Sequence, residues 1–159
     1  AVYGLGCLPL NTLAVARILT LKKRHMEKGL ILVASDIEQL EPFVNFTSVP
    51  VEPIVTSWPG AVTWIIPARE WVPNWLTGKY KGLAVRVSAH PIVRALCSSV
   101  GPIVSTSANP SYFEPARTAH RVRAYFGNQV DYIVPGQLGK GTKPTEIRDA
   151  STGVLIRNS

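Results

Sequence analysis

Gly101-Pro102-Ile103-Val104-Ser105-Thr106-Ser107-Ala108-Asn109 opens as a turn, continues as a short apolar strand and stops in hydroxyls and an amide. A buried strand ending in Ser, Thr and Asn presents side-chain and backbone donors to whatever lies beyond the sheet. In open α/β sheets ligands bind there, outside the carboxyl ends of the strands. Ser, Asn and Pro are also ordinary turn formers, and Asn109-Pro110 alone reads as a turn. The choice between turn and site rests on the rest of the chain.

Working outward, Asn11 is placed to cap a helix ending at Lys22 or Lys23, with cations in its last turn as the helix dipole favours. Gly29 to Ala34 is an unbroken apolar run, expected of a strand covered on both faces. Ser35-Asp36-Ile37-Glu38 has the capping-box pattern and predicts a helix to about Phe43. Pro50 to Ser57 predicts a short helix, Ala61 to Pro67 a strand, Trp71 to Lys81 a loop and Leu83 to Val87 another strand. His90-Pro91 leads a helix to about Val100, and Thr118 to Phe126 a basic amphipathic one. Tyr132-Ile133-Val134, Glu146-Ile147-Arg148 and Val154 to Arg157 read as closing strands, and Gly4-Leu5-Gly6 as a glycine-rich turn. Strands alternating with helices make this a single α/β domain, and the closely spaced later strands make its twisted sheet mixed, with flanking helices.

Composition narrows the function classes. The hydrophobic fraction is 46%, ordinary for a globular chain. No apolar run approaches the roughly 18 residues needed to cross a bilayer, so no membrane role is expected. Lys and Arg number 17 against 10 Asp and Glu, a formal charge of +7. Such an excess draws nucleotide phosphates or nucleic acid, or is simply a solvated surface. Cys7 and Cys97 are expected to be reduced thiols of a cytoplasmic protein. No Cys/His grouping has metal-ligand spacing, so no metal held by protein ligands alone is expected. The chain starts at Ala1 without an initiator Met, and a preceding segment is expected to be missing.

Four constellations could carry chemistry. Lys22 and Arg24, with His25 and Lys28 nearby, could clamp a triphosphate or merely end a helix. Ser107 and Asn109 could bind phosphate or ribose oxygens. Arg86 interrupts an apolar strand, where an unpaired charge is costly. It either reaches a ligand carboxylate or snorkels out from an edge strand. Gly139-Lys140-Gly141-Thr142-Lys143-Pro144-Thr145 could fold over a nucleotide, or be a solvated loop. Phosphate-loop, dinucleotide-binding and nucleophile-elbow motifs are missing, and the histidines form no triad.

Taken in order, Ala1 to Cys7, Leu21 to Arg24 with Lys28 to Leu32, Trp58 to Thr63, Leu83 to Val87 with His90-Pro91, Ser105 to Asn109 and Pro144 to Asp149 resemble the YrdC-like threonylcarbamoyl-AMP synthases of the short bacterial type. The resemblance spans residues 1–159. It implies a concave basic face and a transferase acting on L-threonine, bicarbonate (as carbon dioxide) and ATP, usually with Mg2+. The product would be threonylcarbamoyl-adenylate for tRNA threonylcarbamoyladenosine modification, handed to tRNA threonylcarbamoyl-transferase proteins. It implies ATP binding by Lys22, Arg24, Thr63, Ser107, Asn109, Thr145 and Arg148, and threonine binding by Arg86 and Ser105. No catalytic base is assigned.

The chain departs from the family pattern in three places. The family's Pro-Thr-Glu would fall immediately before Ala1. Leu8 stands where Asp is common, and Pro110-Ser111-Tyr112 stands where Leu-Ser-Gly is usual, beside the nucleotide. A rival reading is a non-catalytic module binding tRNA or double-stranded RNA through shape and phosphate contacts. A carbamoyl-adenylate domain as in hydrogenase maturation is a second rival. The zinc-finger and acylphosphatase segments that accompany such a domain are missing.

Overall fold

The computed structural model of the protein describes residues 2–139 and 145–157. Seven strands form one mixed sheet in the order β1-β5-β2-β4-β3-β6-β7. They are β1 (Gly4–Cys7), β2 (Ile31–Ala34), β3 (Val62–Pro67), β4 (Gly82–Val87), β5 (Ile103–Ser107), β6 (Glu146–Asp149) and β7 (Leu155–Arg157). The pairs β2/β4 and β3/β6 are parallel, and the remaining neighbours are antiparallel. The helices are α1 (Thr12–Lys22), α2 (Glu52–Ser57), α3 (Asn74–Thr77), α4 (Pro91–Val100) and α5 (Ala119–Phe126).

Alternation along the strands divides the sheet into two unlike faces. Leu83, Val85 and Val87 of β4, with Trp64 and Ile66 of β3, Leu32 of β2 and Val104 of β5, form one core. Val15 and Ile18 of α1, Ile54 of α2, Leu76 of α3 and Val122 and Phe126 of α5 close over it. The other face carries Ile31 and Val33, Ala84 and Arg86, and Ser105 and Ser107, as the pairing register requires. There α4 covers the Val33 end, with the buried Cys97 thiol directed at the Val33 carbonyl at 3.4 Å.

Sequence expectations hold for most elements. Asn11 caps α1 by accepting from the Ala14 N–H at 3.0 Å, and Thr118 caps α5. Three expectations are corrected. Gly4 to Cys7 is an edge strand rather than a turn. A Cβ at Gly6 would stand 3.1 Å from the Val104 carbonyl oxygen, so the glycine lets β1 lie close against β5. Ser35 to Phe43 is a run of tight turns rather than a helix. Gln39, not Glu38, returns to the Ser35 N–H, and Pro42 supplies no amide and disfavours helix at Glu41. Tyr132 to Val134 pairs with no strand among the described residues.

α3 is a single turn within the expected loop and ends at Gly78, where φ is +68. A Cβ there would lie 2.3 Å from the Glu27 carbonyl oxygen and 2.5 Å from the Gly29 nitrogen. Gly78→Ala is expected to destabilise the fold by about 3 kcal/mol, read by denaturant titration, because the obstruction is backbone. The same crossing sets the Gly29 carbonyl that Arg24 uses.

Candidate functional site

The end of α1 and the tip of β5 meet through Lys22. Its side chain is only 3% exposed. The ammonium donates to the carbonyls of Ser107 and, at 2.9 Å, Asn109, with Ser107 Oγ and Asn109 Oδ1 each at 3.4 Å. Burial, helped by the nearby Arg24 charge, lowers the Lys22 pKa to about 8. An ammonium has three donors, and these four oxygens occupy them. Lys22 therefore pins the strand tip from within, and the expected pair of phosphate-clamping cations divides into an inner lock and an outer arm.

Arg24 is the outer arm. Its Nε and Nη2 donate to the Gly29 carbonyl at 3.2 and 3.0 Å, and Nη2 also lies 3.4 Å from the Lys28 carbonyl. Both acceptors are neutral, so its charge is not cancelled. Burial and then the Arg157 charge hold its pKa below the usual value.

Arg86 lies on β4, the middle strand of the sheet, which removes the edge-strand explanation. Its Nε is buried and has no hydrogen-bond partner among the described residues. Burial, then Arg157, lowers its pKa as well. Arg157 on β7 donates to the Thr145 carbonyl at 2.9 Å and stands opposite Ile147. None of the three arginines forms an ion pair with a carboxylate among the described residues. The Arg157 charge bears on both Arg24 and Arg86, and three such guanidiniums with no ion-paired carboxylate among the described residues can attract an anion.

Hydroxyls line the same face. Thr63 is fully buried, and its Oγ1 lies 3.5 Å from Thr145 Oγ1. Ser105 pairs with Ile31, and Ile31 with Ala84, which places Ser105 two strands and one residue pair from Arg86. Strand geometry makes that roughly 12 Å between Cα atoms.

Arg148 stands apart from this cluster. It pairs with Trp64, whose side chain is in the opposite, helix-covered core. Its guanidinium is bound to the Glu146 carboxylate at 3.0 and 3.2 Å. That contact holds the Glu146 carboxyl below its usual value. The residue overlooked in the sequence is Arg157. Its signal was available, since a cation ending the apolar Val154-Leu155-Ile156 repeats the pattern of Arg86. The basic loop from Gly139 to Thr145 lies for the most part outside the described residues.

A mixed α/β sheet with arginines and a Lys22-pinned polar strand tip on one face is the class of structure this chain forms. The Sua5/YciO/YrdC family profile, described as "Telomere recombination", matches residues 1–159, and the chain belongs to that family. It is 45% identical over 161 residues to a threonylcarbamoyl-AMP synthase of Cellvibrio japonicus, covering 100% of this chain and 85% of the relative. It is 50% identical over 161 residues to a threonylcarbamoyl-AMP synthase of Escherichia coli K12, covering 99% of this chain and 84% of the relative. A crystal structure of P. abyssi Sua5 complexed with L-threonine superimposes with a TM-score of 0.85 at 33% identity. That alignment covers 94% of this chain and 44% of the longer P. abyssi protein, so the chain spans less than half of it.

Proposed function

We propose that the chain is a threonylcarbamoyl-AMP synthase, joining L-threonine, carbon dioxide from bicarbonate, and ATP. The neutral threonine amine adds to carbon dioxide and releases a proton, giving a carbamate. A carbamate oxygen then attacks the α-phosphorus, a P–O bond forms, and the bond to the β-phosphate oxygen breaks to release pyrophosphate. Every participant after the first step is an anion. Positioning and charge neutralisation are what such a displacement needs from a protein. The observation that carries this reading is that the Arg157 charge bears on both Arg24 and Arg86, and Arg86 shares its sheet face with Ser105 and Ser107.

In this reading Arg86 and Ser105 hold threonine. Arg24 and Arg157 neutralise the triphosphate, and Thr63, Thr145 and Ser107 offer hydroxyls to it. Lys22 and Asn109 shape the tip rather than grip phosphate. No group of three or more His, Cys, Asp or Glu that could hold a metal occurs among the described residues. Mg2+ fits best as the nucleotide's own counter-ion, on phosphate oxygens and water. The product is a reactive mixed anhydride. A transferase that passes its threonylcarbamoyl group to tRNA would consume it, and the basic surface suits a transient tRNA contact. No helix among the described residues is long and apolar enough to cross a membrane, and the cytoplasm, where ATP and tRNA meet, is the compartment this chemistry implies.

Pyrophosphate release from ATP that requires both threonine and bicarbonate is the direct test, and its absence overturns the assignment. Within it, Arg157→Gln is expected to cut turnover about 10- to 100-fold, the scale of losing one aimed charge. Arg148→Gln is expected to stay within about twofold, because its partner is Glu146 on the other face.

A further inference from the structure

Tyr112 is 100% exposed and sits at a φ of +72. The Phe113 N–H closes a four-residue turn on the Pro110 carbonyl at 3.1 Å, so Tyr112 occupies the third position of that turn. With positive φ, that position favours glycine, and a bulky side chain there is strained. The turn is firmly tied to the site. The Ser111 N–H donates to the Lys22 carbonyl at 2.7 Å, and Ser111 Oγ to the Lys23 carbonyl at 3.0 Å. Asn109 Nδ2 donates to the carbonyls of Pro110 at 3.0 Å and Phe113 at 2.7 Å. Lys23 in turn lines an open hollow of about 400 Å³ with Leu19, Thr20, Arg24 and His25. A hydrogen-bonded, strained turn thus holds an aromatic ring fully in solvent beside the Lys22–Asn109 lock and within two residues of the hollow's wall.

We propose that Tyr112 is the stacking platform for the purine ring of ATP. This rests on the nucleotide reading above. With the phosphates neutralised by Arg24 and Arg157, the base extends away from the cations, and the ring at position 112 offers it a flat apolar face. Stacking on an aromatic side chain tolerates any base, so the contact adds affinity more than selectivity.

Equilibrium binding of ATP and of inorganic tripolyphosphate, measured by calorimetry on the whole chain, tests the proposal. Asn and Gly accept positive φ, whereas Phe and Trp retain a ring. Tyr112→Asn and Tyr112→Gly are expected to weaken ATP about tenfold while tripolyphosphate binding stays within twofold. Tyr112→Phe and Tyr112→Trp are expected to bind ATP within twofold of wild type. Tyr112→Gly is also expected to melt higher, since the strain is relieved. Unchanged ATP affinity in Tyr112→Asn, or an equal loss for tripolyphosphate, overturns the platform while leaving the synthase reading standing. Loss of RNA-hairpin binding with ATP binding unchanged overturns it in favour of RNA. A wild-type protein that binds no ATP overturns both.

Discussion

Arg86→Gln is expected to lose threonine-dependent pyrophosphate release by a factor of about 10²–10³, the usual cost of removing a preorganised donor from developing charge. It is expected at the same time to make the free protein more stable. The Nε of Arg86 is buried on the central strand and has no hydrogen-bond partner among the described residues. The Arg157 charge opposes it further. An uncompensated buried charge of this kind weakens the fold, and replacing it with a neutral side chain of similar length removes that penalty. Activity sites commonly hold such destabilising groups. Steady-state kinetics and thermal unfolding on the same sample decide the matter. Retained activity with lowered stability would make Arg86 a structural cation and remove it from the threonine site.

Lys22→Met is expected to reduce both stability and activity, for a different reason. The ammonium satisfies the carbonyls of Ser107 and Asn109, and methionine offers neither a donor. Leaving two such acceptors unmet costs about 2–4 kcal/mol together. With the lock gone, the tip at Ser107 and Asn109 loses its anchor, so turnover falls with it. The pH dependence gives a second signature. Burial lowers the folded pKa to about 8 from the ordinary lysine value of 10.5. Between those values the unfolded chain binds more protons than the folded one at this residue, so this contribution raises stability as pH rises. The stability gap between wild type and Lys22→Met is therefore expected to be flat below pH 8 and to widen from pH 8 toward 10.5. A gap that narrows across that window would show that Lys22 is not buried as described.

The elements legible in the sequence share one property: their signals are local. Asn11 caps α1 because its own side chain reaches three residues ahead. The alternation Leu83, Val85, Val87 against Ala84 and Arg86 announces a strand with one buried face. The capping pattern at Ser35 misled because its local preference met Pro42 and the competing reach of Gln39. β1 was hidden because two glycines read as a turn until a neighbouring strand is close enough to need them. The site divides in the same way. Lys22, Arg24, Ser107, Asn109 and Arg86 stood out by motif. Spacing along the chain does not reveal which face of the sheet receives Arg148 and which receives Arg157.

Local signals suffice for the α/β class, most helices and strands, the family and the polar strand tip, because capping, alternation and motif order act over a few residues. Only tertiary structure places Lys22 inward, makes β4 central so that the Nε of Arg86 is buried rather than at an edge, and sets Arg157 rather than Arg148 on the face of Arg86. Those outcomes depend on strand order and register. Order and register are set by long-range pairing, and a shift of one residue moves a side chain to the opposite face.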